Sequence, residues 1–180
     1  MAQSPETTAM QYSWFVLSAT LSATSASAMD LSSPEIHEGA PIAKEQVYTR
    51  CGGQNISPAL SWSGAPDATR SFAITALDLS VNPNGWSHWI VVGLPAGTRS
   101  LGKGAALPSG ARAVMTDFGD AAYAGPCPPA GSGVHRYQFT VWALRTPAPQ
   151  FPANATANDI AVVLDRTSLG KASITGTYQR

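Results

Sequence analysis

A mainly β fold with a single late helix is what this sequence predicts, on three observations. Segments such as 71–79 and 136–144 alternate apolar and polar side chains with the period of two that a half-buried strand requires. Glycine and proline, 16 and 14 residues of 180, fall between these segments as turn and loop chemistry. A credible helical stripe occurs in one place, where Ile160, Val163 and Leu164 recur at helical spacing.

Taken in order, residues 30–41 are polar, carry Pro34 and Gly39, and are expected as short extended pieces. Lys44 to Thr49 is expected as a strand. Residues 52–58 form a loop, and Leu60-Ser61-Trp62 opens the next strand. Gly64-Ala65-Pro66-Asp67-Ala68-Thr69 is turn chemistry. In the strand Ser71 to Leu79, Phe72, Ile74 and Ala76 face one way and Ala73, Thr75 and Leu77 the other. After the loop 80–85, His88 to Leu94 is apolar on both faces and is therefore predicted as a central strand. Residues 95–110 are turn-rich, and 118–133 make a long Gly/Pro loop before the strand Arg136 to Leu144. Thr146-Pro147 to Pro152 breaks the chain. The helix is predicted over Asn158 to Leu169, with Asn158 as its cap and Gly170 to end it. Ala172 to Tyr178 returns as a strand, and there is no internal repeat.

The length suits one domain with a real core. Formal net charge is zero and 12% of residues are charged, which argues against a nucleic-acid surface. Residues 1–28 run from a polar start through Trp14-Phe15-Val16-Leu17 and a Ser/Ala/Thr stretch to Ala26-Ser27-Ala28. The ending fits the cleavage pattern of a secretory signal peptide, although no Lys or Arg precedes the apolar run; the other reading is a disordered leader. The apolar run falls short of the roughly 20 residues a membrane span needs. The folded domain is expected over 30–180, in the periplasm or secreted, with the cytoplasm as the alternative. Cys51 and Cys127 make an even count, each in a Gly- or Pro-rich loop, and are expected to form one disulfide.

The stretch Gly125-Pro126-Cys127-Pro128-Pro129, running on to Gly133-Val134-His135-Arg136-Tyr137, concentrates the chemistry. His135 and Tyr137 are two apart, so on a strand their polar heads reach the same side beside a rigid loop. Arg136 alternates away from them, as a surface or ion-pair residue. A preset backbone with a few convergent donors is how a small polar pocket is built.

Four segments together resemble the bacterial, Raf-kinase-inhibitor-like branch of the phosphatidylethanolamine-binding protein family. They are Asn55-Ile56-Ser57-Pro58-Ala59-Leu60-Ser61-Trp62, Thr69-Arg70-Ser71-Phe72-Ala73-Ile74, Trp86-Ser87-His88-Trp89-Ile90-Val91-Val92, and Gly125 to Tyr137. The C-terminal helix and strand, ending Gly176-Thr177-Tyr178-Gln179-Arg180, extend the resemblance over residues 32–180. It implies an antiparallel β-sandwich, a large central sheet plus a smaller one, with a C-terminal helix. It also implies a pocket for a small anion or phospholipid head group, whose residues fall on Asp78, Trp86, His88, His135 and Tyr137. Where the family usually has Asp-Pro-Asp-x-Pro, this chain reads Asp78-Leu79-Ser80-Val81-Asn82-Pro83, with Ser80 in place of the second acid.

In such a pocket two imidazoles can donate and can become cationic, and Tyr137 offers a hydroxyl. Asp78 repels a bare phosphate, so its use is to accept from an imidazole and hold its tautomer. Trp86 is a wall. Binding without catalysis is expected, since there is no Gly-x-Ser-x-Gly elbow and no His-Glu-x-x-His. A three-histidine metal site would need His37 from a polar loop as well as His88 and His135, so neither metal nor cofactor is expected. The alternative function is a protein-binding inhibitor or regulator of a kinase or protease.

Overall fold

The computed structural model of the chain describes Met1, residues 28–152 and residues 155–180. The leader 1–28 falls almost wholly outside the described residues, so its reading as a signal peptide is not addressed by the fold. Strands β1 (Asp30–Ser32), β2 (Leu60–Ser63) and β5 (Ser100–Leu101) form a small antiparallel sheet in the order β1-β2-β5. Strands β3 (Ser71–Asp78), β4 (Trp86–Pro95), β6 (Arg112–Ala113), β7 (His135–Leu144) and β8 (Ser168–Tyr178) form the large one, in the order β6-β4-β3-β7-β8. All its pairings are antiparallel. One helix, α1 (Ala157–Thr167), precedes the last strand.

The alternation read from the sequence assigns the two faces of the large sheet. Phe72, Ile74, Phe139 and Val141 point toward the small sheet and pack with Leu31, Leu60 and Trp62; Trp62 and Phe72 have ring centroids 5.4 Å apart. Ala73, Ile90, Val92, Trp142 and Leu144 face the other way and are covered by Ile160 and Leu164 of α1. Burying both faces removes most of the sheet's apolar surface from water, the main favourable term in folding. On the helix side Trp142 Nε1 donates to Thr75 Oγ1 at 3.0 Å, so the buried indole is satisfied.

The predicted central strand, 88–94, is internal, but its neighbour β3 is the middle strand and β4 starts two residues earlier, at Trp86. The predicted strand at 44–49 is not one. Residues 43–47 turn tightly, Thr49–Cys51 forms a 3-10 turn, and the backbone bonds instead to its own continuation. Gln54 N donates to Lys44 O, Asn55 N to Val47 O and Ile56 N to Glu45 O, at 2.9–3.2 Å. The segment buries Gln46 and Val47 completely without a ladder partner.

The helix is capped two residues earlier than expected and begins at Ala157. Thr156, not Asn158, is the N-cap: its Oγ1 accepts from Asp159 N at 3.2 Å and the Asp159 carboxylate accepts from Thr156 N at 2.9 Å, a reciprocal capping box. The Thr156 hydroxyl also donates to Asp159 Oδ2 at 2.7 Å, and this bond first, then that from Thr156 N, holds the Asp159 carboxyl below its ordinary value. The helix stops at Thr167 because Ser168 already pairs with Leu144, and Gly170 lies within β8 opposite Ala143. Thr156→Ala is expected to cost about 1 kcal/mol in a denaturant melt; a change below about 0.3 kcal/mol would show that helix packing alone sets this end.

Candidate functional site

Asp78 ends β3 between two neighbours. Across the ladder it faces Trp86 at the start of β4 and Tyr137 near the start of β7. Directly opposed residues share a face, so all three project to one side at one end of the sheet. His135, two residues before Tyr137, joins them. His88 arrives by a β-bulge. Ala76 pairs with Trp89 and Leu77 with Ser87, which leaves His88 as the extra residue in β4. A bulge beside a site re-aims a side chain. Here it lets Trp89 pack in the core while Trp86 and His88 line the cavity at the strand end.

The bulge is held from outside the sheet. Asp117 Oδ2 accepts from Ser87 N at 2.7 Å and from Ser87 Oγ at 2.8 Å, and Asp117 N donates back to Ser87 Oγ at 2.8 Å. The next residue, Phe118, is thereby set 4.8 Å from the His88 ring and 5.5 Å from that of Tyr48, centroid to centroid. Nothing in the sequence pattern marked Phe118, Ser87 or Asp117, since their roles come from a loop folding back on a bulge.

The opposite wall is the Gly/Pro loop, strapped to residues 46–55. Tyr48 N donates to Pro126 O at 3.2 Å and Tyr123 Oη to Gln46 O at 2.9 Å. Asn55, the one non-glycine residue with positive φ (58°) among those described, donates to Tyr123 O at 3.0 Å and accepts from Gly125 N at 2.7 Å. Asparagine tolerates that left-handed backbone. Cys51 and Cys127 form the expected disulfide, with a Cα separation of 5.6 Å.

These elements enclose a cavity of about 300 Å³ lined by Asp78, Val81, Trp86, His88, Phe118, Cys127, Pro128, Pro129, His135 and Tyr137. All five residues singled out from the sequence line it. Asp78, His88, His135 and Tyr137 are buried, whereas Trp86 and Phe118 (each 37% exposed) and Val81 (49%) form an apolar rim. Ser80 is not a lining residue: its amide donates to Asp78 Oδ1 at 2.9 Å and its hydroxyl accepts from Arg136 N at 3.0 Å, closing the turn after β3. Arg136 itself is exposed, as the alternation indicated.

The polar atoms are not equivalent. His88 Nδ1 donates to the Ala124 carbonyl at 2.7 Å, which fixes its tautomer and leaves Nε2 as its unengaged ring nitrogen. Burial pushes the His88 imidazole below its usual pKa, against the opposing pull of the Ala124 carbonyl and the Asp78 carboxylate. His135 has both nitrogens engaged, Nδ1 with Asp78 Oδ2 at 2.6 Å and Nε2 with Ser132 Oγ at 2.9 Å. Asp78 therefore holds the tautomer of His135. The Tyr137 hydroxyl is buried and makes no hydrogen bond to the protein; burial, and then the Asp78 charge, push its phenol up. The Cys127 backbone lies beside that oxygen. No Lys or Arg lines the cavity, and no cluster of potential metal ligands occurs among the described residues.

Comparisons with known proteins agree on one family. A family model described as "Phosphatidylethanolamine-binding protein" matches residues 32–179. The chain is 38% identical over 163 residues to "UPF0098 protein YbcL" of Escherichia coli (strain K12), covering 86% of this chain and 89% of that one. The crystal structure of E. coli YbcL superposes with a TM-score of 0.79 at 36% identity, over 86% of this chain and 99% of that chain. A Mycobacterium tuberculosis relative named "Putative lipoprotein LppC" is 35% identical over 161 residues, covering 89% of this chain and 77% of the relative.

Proposed function

The chain belongs to the phosphatidylethanolamine-binding protein family, and on that premise we propose that its cavity binds a small monoanionic group, such as a phosphate monoester or a phospholipid head group. One observation carries the reading. Tyr137 lines the cavity, and its buried Oη makes no hydrogen bond within the protein although the Asp78 carboxylate and the Cys127 backbone lie near it. A buried polar group without a partner is rare, and a ligand oxygen is a fitting partner here.

The charge inventory selects the ligand's ionisation state. The cavity holds one carboxylate and no Lys or Arg, so a dianion would meet Asp78 without compensation. A monoanion fits the donors and acceptors present. Tyr137 Oη donates to one oxygen, and neutral His88 accepts at Nε2 from the P–OH of a singly protonated phosphate or monoester, a bond that a phosphodiester head group does not make. Asp78 takes part through His135. The rim of Val81, Trp86 and Phe118 suits the apolar remainder of an ester.

Titration calorimetry with inorganic phosphate and with glycerophosphoethanolamine tests this. Tyr137→Phe is expected to weaken binding about tenfold, the worth of one hydrogen bond to a charged partner. The pH profile has a definite sign. Protonated His88 attracts an anion, and its pKa lies below the usual 6.5 because of burial. Affinity is therefore expected to rise as pH falls below about 6.5 and to be flat between 7 and 8 as far as His88 is concerned. Absence of binding by either ligand at millimolar concentration would sink the reading and leave the apolar rim as a protein contact.

An extracytoplasmic location accompanies this proposal. It is supported by the Cys51–Cys127 bridge, which persists in oxidising compartments, by the small-residue pattern at Ala26-Ser27-Ala28, and by the lipoprotein name of one relative. Among the described residues no helix is long and apolar enough to cross a membrane.

A further inference from the structure

The cavity reading gives no role to Ser132, which lies outside the lining residues and is exposed. Its hydroxyl stands 2.9 Å from His135 Nε2, and His135 Nδ1 stands 2.6 Å from Asp78 Oδ2. We propose that Ser132, His135 and Asp78 form a nucleophilic relay that cleaves small carboxylic esters, with Ser132 Oγ as the attacking atom.

Each member has the environment its role requires. Asp78 is buried and accepts a second bond from Ser80 N at 2.9 Å, which fixes the carboxylate toward the imidazole. His135 is buried with Nδ1 committed to that carboxylate, so Nε2 is the nitrogen that exchanges a proton with serine. Ser132 alone is open to solvent, as a nucleophile for a diffusing ester must be. The hydroxyl has a second acceptor, the Pro129 carbonyl at 2.7 Å. One proton cannot serve both. When it points to Pro129 O the hydroxyl is not activated; when it points to Nε2, whose lone pair is free because Nδ1 donates to Asp78, that nitrogen can take the proton as Ser132 Oγ attacks. Gly133 follows with φ 89°, and neither its amide nor that of Val134 donates to another described residue. They are available donors beside the nucleophile for a developing oxyanion. Pro129 and His135 also border the cavity, whose rim accepts an apolar acyl or aryl group.

The step balances with water as the only co-reactant. Ser132 Oγ attacks the ester carbonyl carbon while its proton passes to His135 Nε2. The carbon–oxygen bond to the leaving group breaks, and that proton leaves with the alcohol. Water then attacks the acyl-serine, giving its proton to Nε2 and from there to Ser132 Oγ as the carboxylic acid departs. The missing Gly-x-Ser-x-Gly elbow gave reason to expect no catalysis, but such relays are recognised by geometry and not by sequence position. The proposal thus revises the expectation of a purely binding protein. It does not rest on anion binding, which the phosphate titration measures separately.

The test uses the full chain with diisopropyl fluorophosphate, read by intact mass and peptide mapping, and with p-nitrophenyl butyrate, read by release of nitrophenol. A single adduct on Ser132 is expected, absent in Ser132→Ala and formed at least about tenfold more slowly in Asp78→Asn. Saturable ester turnover is expected to fall about 100-fold or more in Ser132→Ala, an exposed position whose loss leaves the core intact. No adduct on Ser132, or turnover that survives Ser132→Ala, overturns the proposal and leaves Ser132 as the residue that locks the 129–132 turn. If Asp78→Asn fails to fold by circular dichroism, the mapping and the Ser132→Ala turnover decide alone.

Discussion

Reducing the Cys51–Cys127 bridge is expected to lower the stability of the fold by about 4 kcal/mol while leaving the cavity formed. The bond joins residues 76 apart in sequence. Opening a loop of that length restores chain entropy to the unfolded state worth roughly 4 kcal/mol. For a domain of this size that corresponds to a fall in Tm of about 10 °C. The native contacts suffer less, because four hydrogen bonds between the 46–55 strap and the 123–126 wall remain. Melting with and without reductant, and of the Cys51→Ser/Cys127→Ser double variant, measures the effect. Phosphate titration of the same samples reports the cavity. A stability change under about 1 kcal/mol would mean that the strap already confines the unfolded chain.

Gly125→Ala is expected to be worse, at roughly 4 kcal/mol or more, with loss of the cavity itself. A Cβ at this position would lie 1.9 Å from Gln46 O, 2.7 Å from Tyr48 N and 2.9 Å from Val47 C. All three atoms are backbone, so no side-chain rotation relieves the clash. The strap must separate from the wall, breaking the 2.7 Å bond from Gly125 N to Asn55 Oδ1 and shifting Cys127, Pro128 and Pro129. Gly97→Ala is the control, because nothing lies within 4 Å of its Cβ position. It is expected within about 0.5 kcal/mol of the parent. Comparable losses in the two variants would mean that the Gln46 contact is not what makes Gly125 necessary.

The parts of the molecule governed by local periodicity were legible in the sequence. Phe72, Ile74 and Ala76 against Ala73 and Thr75 give the two faces of β3 because side chains in a strand alternate regardless of context. The same rule put His135 and Tyr137 on one side. What depended on non-local contact was hidden. The 44–49 segment, with Val47 and Tyr48 among polar residues, reads locally as a strand, and only its hydrogen bonds to 53–56 and to Pro126 show that it is none. Thr156 and not Asn158 is the cap because Asp159 stands three residues after it, a reciprocal pair that the sequence does contain. The convergence of Trp86 and His88 on Asp78 came from the family resemblance, since the bulge that accompanies it leaves no mark in composition or spacing. Ser132 was passed over for a related reason: its partners lie 54 positions before it and 3 after, and only their measured separations make them a set.

The bulge at His88 also acts as a phase slip. Trp89 and Val91 keep the alternation that the core demands, while Trp86 and Ser87 count from a different origin. The cavity end of β4 is thus insulated from the rest of the strand. Substitutions at Trp86 and His88 can exchange one lining group for another without asking the interior to repack, and interior changes beyond Trp89 do not rotate the lining away. A sheet built this way keeps an interior and a mouth that answer to different constraints on a single strand, so ligand preference can change on an unaltered scaffold.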